Sequence, residues 1–318
     1  MTTIRLNEAA AFLLAHDDFL ILTHRRPDGD TVGSAAALCR MLRDAGKTAW
    51  VYANPQFTPK FSPYLQGLLK SGRTGTETVV SVDIATAGLF PFGMEDAEVA
   101  LAFDHHWSNE GFAARTCLDG DRAACGELIW ALQPLLGVKP SREIAEAAYV
   151  AVSTDTGCFR FSNVTPNTLR VAAECLEHGA VFYPINRVMF EEKRWARLRL
   201  ESYLVRTTEF YRSGLVAVSA IPERIMVEYG LTEDDVDDIS AFGRNIEGVE
   251  IAVMLREVEN GMGKISMRTS PRFSASDICS LLGGGGHAAA AGATVPGGIE
   301  AAKAAVLAAI EKELNIEN

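Results

Sequence analysis

The chain has no cysteine pair at C-x-x-C spacing. Cys39, Cys117, Cys125, Cys158, Cys175 and Cys279 are scattered along 318 residues, which excludes a zinc ribbon and offers no framework for a disulfide-stapled secreted fold. Long apolar runs are missing as well. The short run Ala9 to Ala15 has Glu8 before it and His16-Asp17-Asp18 after it, with no basic leader, so it reads as an amphipathic helix rather than a signal peptide. No stretch is long enough to span a bilayer. Basic residues are the third shortage: 30 Lys and Arg against 41 Asp and Glu give a formal net charge of −11. Proteins that coat long nucleic acids rely on a cationic surface and on counterion release, so a long duplex is excluded as partner. A short phosphate-bearing substrate stays open, because bound cations invert the local field. No repeat or low-complexity tail occurs. The expectation is a cytoplasmic protein with no membrane partner.

The chain does have enough apolar residues, 48%, to build more than one sizeable core, and its length points to two domains. The first half alternates short β-branched runs with longer helical stretches, the pattern of an α/β fold with a mostly parallel sheet flanked by helices. Strands are expected at Phe19 to Thr23 and Thr48 to Ala53, and helices at Thr31 to Ala45, Glu143 to Ser153 and Thr168 to His178. A long connecting helix is expected from Glu191 to Phe210. Beyond Ser213 a smaller α/β domain follows. Its strands are expected at Leu215 to Ala220, Val249 to Arg256 and Gly263 to Thr269, its helices near 222–229, 232–241, 274–282 and 299–313. An alanine-rich helix is expected after His287.

Acidic and imidazole side chains recur where the apolar runs end. His24-Arg25-Arg26-Pro27-Asp28-Gly29-Asp30 follows Phe19 to Leu22, Asp83 closes Thr78 to Val82, Asp104-His105-His106 follows Val99 to Phe103, and Asp155 follows Ala147 to Val152. In a parallel α/β sheet such ends converge on one edge, where ligands bind. Two divalent cations about 3.5–4 Å apart need several anionic oxygens, one of them bridging, and open positions for water and substrate. Mixed carboxylate and imidazole ligation suits manganese better than calcium or magnesium. Asp28-Gly29-Asp30 alone would be a solvated turn, and the rest of an EF-hand loop does not follow it. Asp155-Thr156-Gly157 lacks the second equivalent Asp and the all-β setting of an aspartic protease. Gly33 and Ser34 open the first helix, where they suit either close phosphate approach or tight packing.

The order His24/Asp28/Asp30, Asp83, Asp104-His105-His106, Asp155 resembles the DHH phosphoesterase superfamily. Gly283-Gly284-Gly285-Gly286-His287-Ala288-Ala289-Ala290-Ala291-Gly292 resembles the signature of the DHHA1 domain that follows it. By length and architecture the nearest subgroup is the bacterial nano-RNase and 3′-phosphoadenosine-5′-phosphate phosphatase group. The resemblance implies a DHH domain over 1–190, a helical connector over 191–212 and a DHHA1 domain over 213–318, with a cleft between the domains. It implies that His24 and Asp28 hold one metal, that Asp30, His105 and Asp155 hold the other, and that Asp83 bridges them. His106 is left to contact a phosphate oxygen or the leaving group, and Asp104 orients an imidazole from behind. Water, not Ser34 or Cys158, is the expected nucleophile.

In the second domain the glycines allow positive φ and close approach of backbone N–H groups to a ligand, so Gly284, Gly285, Gly286 and His287 are expected to bind substrate. No Lys-Ser/Thr follows them, which excludes a Walker loop. Arg268 resembles the family's second phosphate-binding arginine, although an exposed strand arginine explains it equally simply. The activity implied is manganese-dependent hydrolysis of short oligonucleotides and dinucleotides such as pApA, and of 3′-phosphoadenosine-5′-phosphate. Pairing as a homodimer is also implied. A cyclic-di-nucleotide phosphodiesterase and a non-catalytic nucleotide sensor are the alternatives.

Overall fold

The computed structural model describes residues 2–236, 239–258 and 261–316, in two compact units that divide between Glu192 and Lys193. The first unit is built on β1 (Thr2–Thr3), α1 (Leu6–Ala15), β2 (Phe19–Leu22), α2 (Gly29–Asp44), β3 (Ala49–Tyr52), α3 (Ser62–Leu65), β4 (Leu69–Lys70), β5 (Thr78–Val82), β6 (Leu101–Asp104), β7 (Arg115–Leu118), α4 (Cys125–Trp130), α5 (Arg142–Asp155), α6 (Pro166–Glu177) and α7 (Phe182–Asn186). Its seven strands lie in the order β1-β7-β6-β5-β2-β3-β4, and every pairing is parallel. Both faces are covered. Phe19 and Ile21 point into a core shared with α1, α2 and α5, while Leu20 and Leu22 point into a second core with Ile84, Phe90 and Met94. Burial on both faces makes the strand apolar throughout, where a half-exposed strand would alternate.

From β2 the chain runs outward through β3 and β4, then returns to lay β5 on the other side of β2 and continues through β6 and β7. The order therefore reverses between β2 and β5, and α/β sheets open a crevice at the carboxyl ends flanking such a point. Helices α2 and α5 pack so closely here that a Cβ on Gly33 would lie 2.3 Å from the Ala147 carbonyl oxygen. Gly33 thus serves helix packing.

The second unit consists of α8 (Trp195–Thr207), β8 (Glu209–Tyr211), β9 (Val216–Ile221), α9 (Glu223–Tyr229), β10 (Ile251–Val258), β11 (Met262–Thr269), α10 (Ala275–Ser280), β12 (Gly285–His287), β13 (Ala290–Pro296) and α11 (Gly298–Ile316). Its sheet runs β12-β13-β11-β10-β9-β8; β9 and β10 are parallel, the other pairs antiparallel. Alternation along β10 divides its side chains: Ile251, Val253 and Leu255 join α10 and α11 in one core, and Met254 joins α8 and α9 in another.

Several expectations change. The connecting helix is shorter than 191–210: it starts at Trp195, and Phe210 belongs to β8. The expected helix near 232–241 is replaced by 3-10 turns at Glu233–Asp235 and Ile239–Asn245, with 237 and 238 outside the described residues. Aspartates disfavour helix interiors because they bond nearby backbone, and Asp235 accepts from the Thr232 amide and hydroxyl. The alanine-rich helix after His287 is absent. Those alanines form the turn and start of β13, which pairs with β11 over seven positions. Helix propensity of a few tenths of a kcal/mol per residue yields to that ladder and to the burial of Ala291 and Ala293.

Candidate metal centre

His24 lies two residues past β2, where the Asn54 side-chain amide donates to its carbonyl (2.9 Å). Asp28 caps α2, accepting from the Asp30 and Thr31 amides, a favourable place for a carboxylate at a helix N-terminus. The Thr31 hydroxyl donates to the Val82 carbonyl (2.9 Å) and so joins the start of α2 to the end of β5. Asp83 follows in the left-handed region at φ 58°, a conformation costing a non-glycine residue on the order of 1 kcal/mol. Its amide donates to Phe103 on β6 (2.9 Å). The strain turns the carboxylate back over the sheet edge.

Asp30 is fully buried and accepts three hydrogen bonds, one fewer than a carboxylate can take. It accepts from the Cys125 amide (2.6 Å), the Gly126 amide (2.9 Å) and the Ser34 hydroxyl (3.0 Å), so the N-terminus of α4 holds it. Asp155 ends α5. A carboxylate at a helix C-terminus is unfavourable, so helix stability does not account for its position. Gly29 brings the two helices together there, since a Cβ on it would meet the Thr154 side chain at 2.2 Å.

His105 Nδ1 donates to the Arg122 carbonyl (3.1 Å). A carbonyl only accepts, so Nδ1 carries the proton and neutral His105 presents a lone pair at Nε2, the tautomer a metal ligand needs. That Nε2 lies 3.4 Å from Asp83, 3.5 Å from Asp155 and 3.6 Å from Asp30. His24 Nε2 lies 3.5 Å from Asp28 and 3.8 Å from Asp83. Three groups of ligand atoms result, each with its atoms within 4.8 Å of one another: His24, Asp28 and Asp83; Asp30, His105 and Asp155; Asp83, His105 and His106. Asp83 is common to two sets that otherwise share no residue.

Asp104 is buried and faces away from this shared space. It accepts from the His105 and His106 amides, from His106 Nδ1 (2.7 Å) and from the Asn109 side chain. It therefore positions His106, whose pKa it raises by that hydrogen bond. His106 is half-exposed. Burial raises the Asp155 pKa to about 6; burial, then repulsion from Asp83 and Asp155, raises that of Asp30 well above the usual range. Burial opposes the charged form of His105, but the Asp83, Asp30 and Asp155 carboxylates outweigh it and lift its pKa to about 10.

The donor set fits divalent cations. Asp83 Oδ1 and His105 Nε2 are buried without any hydrogen-bond partner, and buried polar atoms are rarely left so. Among the described residues, every ion pair of these carboxylates is with a histidine. Thr31, Asn54, Asn109 and the α4 amides were missed in the sequence; only the short spacing from Asp104 to Asn109 gave any signal.

In the second unit, Lys264, Ser266, Arg268, Gly283, Gly284 and Gly285 line an open groove of about 580 Å³. Arg268 bonds only its neighbour's carbonyl, Met267 (3.0 Å), and has no carboxylate partner among the described residues. The Gly284 amide donates to the Cys279 carbonyl (2.9 Å), so Gly284 lines the groove with its N–H already engaged within the chain. Its lack of a side chain serves β13, since a Cβ would lie 2.1 Å from the Gly292 oxygen. Gly286 and His287 belong to β12 and are not part of the groove lining; His287 is exposed.

Residues 18–152 match the N-terminal domain of the DHH family and residues 214–315 match the DHHA1 domain. The chain belongs to the DHH–DHHA1 phosphoesterase family and is a hydrolase of that class. It is 36% identical over 300 residues to the bifunctional oligoribonuclease and PAP phosphatase NrnA of Thermus thermophilus, covering 92% of this chain and 89% of that protein. The protein of the same name from Bacillus subtilis is 23% identical over 290 residues, 88% of this chain and 90% of the other. An exopolyphosphatase-related protein from Bacteroides fragilis shares the fold, with a TM-score of 0.86 at 23% identity over 96% of both chains. No helix among the described residues is long and apolar enough to cross a membrane.

Proposed function

We propose that the protein hydrolyses short oligoribonucleotides and dinucleotides such as pApA to 5′-mononucleotides, and 3′-phosphoadenosine-5′-phosphate to AMP, with two manganese ions. The observation that carries the reading is Asp83, which shares one ligand set with His24 and Asp28 and another with His105 and His106, and whose Oδ1, 3.4 Å from His105 Nε2, is buried like that nitrogen without a hydrogen-bond partner among the described residues. The substrates follow from the names of the relatives, and the negative charge of the chain favours short substrates over strands that need a basic track.

In this reading His24 and Asp28 hold one ion, Asp30, His105 and Asp155 the other, and Asp83 both. Such a pair supplies an acidified water as nucleophile and positive charge for the phosphoryl oxygens. Asp30 is fixed in place by the α4 amides and Asp83 by its strained backbone, so neither has to be ordered when substrate arrives. His106, whose charged form is favoured by its hydrogen bond to Asp104, would donate from Nε2 to a phosphate oxygen or the leaving oxygen. Arg268 offers a planar fork for a second phosphate.

The test is turnover of pApA, cyclic-di-AMP, 5-mer RNA, 3′-phosphoadenosine-5′-phosphate and pyrophosphate, side by side with manganese. The reading requires pApA and 3′-phosphoadenosine-5′-phosphate to be cleaved well above cyclic-di-AMP and pyrophosphate. Preference for either of the latter two overturns it.

A further inference from the structure

Trp107 directly follows the Asp104-His105-His106 triplet and is 74% exposed. Large aromatic side chains gain most of their stabilisation from burial, so an indole left in water beside a reactive cluster calls for a different explanation. Its position is built. A Cβ on Gly120 would lie 2.2, 2.4 and 2.6 Å from Trp107 Cε2, Cδ2 and Nε1. Near-equal distances to three consecutive ring atoms place Gly120 against the face of the indole, not its edge. One face is thus seated on a residue with no side chain, and the other is open.

The seat and the loop are both tied to the candidate metal centre. Gly120 follows Asp119, whose amide donates to the Asp104 carbonyl (3.2 Å), and two residues later the Arg122 carbonyl fixes the His105 tautomer. On the other side, Asn109 donates through its side chain to Asp104 and to the Ile84 carbonyl, and its amide to the His106 carbonyl. The backbone segments that carry the indole and its seat are thus tied to the same groups that orient the two histidines.

We infer that Trp107 is a stacking platform for a nucleobase of the substrate, with its free face open to a purine next to the scissile phosphate. The inference rests on the proposed nucleotide substrate and deepens it, since it assigns base recognition to the first unit. An open, rigid aromatic face is what base-tolerant binding uses, and the two fused rings of indole overlap a purine more fully than a pyrimidine. Trp107 should therefore favour purine dinucleotides.

The experiment uses the manganese-loaded full chain in a Trp195→Phe background, so that Trp107 is the exposed fluorophore. AMP should quench the emission and ribose 5-phosphate should not. Trp107→Ala should raise KM for pApA about tenfold, within the range for aromatic–base stacking, with kcat within about twofold. Trp107→Phe should restore most of the loss, and an abasic dinucleotide should not distinguish the variants. An unchanged KM for pApA, or an equal loss on the abasic substrate, overturns the inference while leaving the proposed function intact. Emission shielded from acrylamide before nucleotide is added also overturns it, because protein then covers the ring. Should the wild type fail to cleave pApA, the proposed function fails; the AMP titration still decides stacking, and absence of quenching sinks it.

Discussion

At the carboxyl edge of β2, β5 and β6, carboxylates and imidazoles crowd to 3.4–3.8 Å from one another. On β11 of the second unit the arrangement is the reverse: Arg268, without a carboxylate partner among the described residues, lines with Lys264 a groove made mostly of small residues. The first region stores like-charge repulsion that a cation relieves. The second presents a cation that an anion neutralises. Both are poor arrangements for the free protein and good ones for a bound state. Charges placed for stability alone would have been paired within each region.

The change that should break the contrast most completely is Asp83→Ala, which removes the carboxylate proposed to serve both cations. Manganese-stimulated hydrolysis should fall by more than about 10³-fold, beyond the usual loss from one active-site donor. The cation-free variant should melt at a higher temperature than the cation-free wild type, because repulsion and a strained position are both relieved. Near-normal turnover would contradict a shared carboxylate. A smaller loss is expected from Asn109→Ala, which touches no ligand position but releases Asp104 and, through it, His106. Behind a metal centre such changes cost roughly 10- to 100-fold. A fall confined to kcat, with metal affinity preserved, would assign Asn109 to His106 alone.

Arg268→Ala tests the opposite side of the comparison. It should raise KM on pApA roughly tenfold, as loss of a charge-assisted hydrogen bond does, and barely affect a small chromogenic phosphodiester. Equal effects on both substrates would place Arg268 in the chemistry instead.

The smallest expected effect is on pH dependence. The folded, cation-free protein holds protons more tightly than the unfolded chain at Asp155 (about 6) and His105 (about 10). With more protons bound in the native state, stability falls as pH rises through each of these values. Cations compete for the same sites, so the rise in Tm on adding manganese should be larger at pH 8 than at pH 6. The dependence should weaken in Asp155→Asn. An increment independent of pH in the wild type would mean that the cluster does not exchange protons for cations.

That these carboxylates and imidazoles gather in one place was legible in the sequence because each follows an apolar run, and a parallel sheet brings such ends to one edge. What was not legible are groups whose partners are far along the chain: the α4 amides reach Asp30 across 95 and 96 residues, and Thr31 reaches Val82 across 51. Nothing local to Cys125 or Gly126 announces that role. The run after His287 was misread for another reason. Alanine favours helix when nothing else acts, but here β11 supplies a long edge, and Ala288 and Ala289 turn the chain from β12 into β13. Gly33 had two readings of equal standing, and only the backbone of α5 decided between them.

The central claim is that one carboxylate, Asp83, joins two cation positions. Electron paramagnetic resonance of the manganese-titrated chain tests it directly. Ions about 3.5–4 Å apart across a shared carboxylate should give a spin-coupled signal that saturates at two manganese per chain, and Asp83→Ala should abolish the coupling. A single uncoupled ion, or coupling that survives the loss of Asp83, would contradict the account.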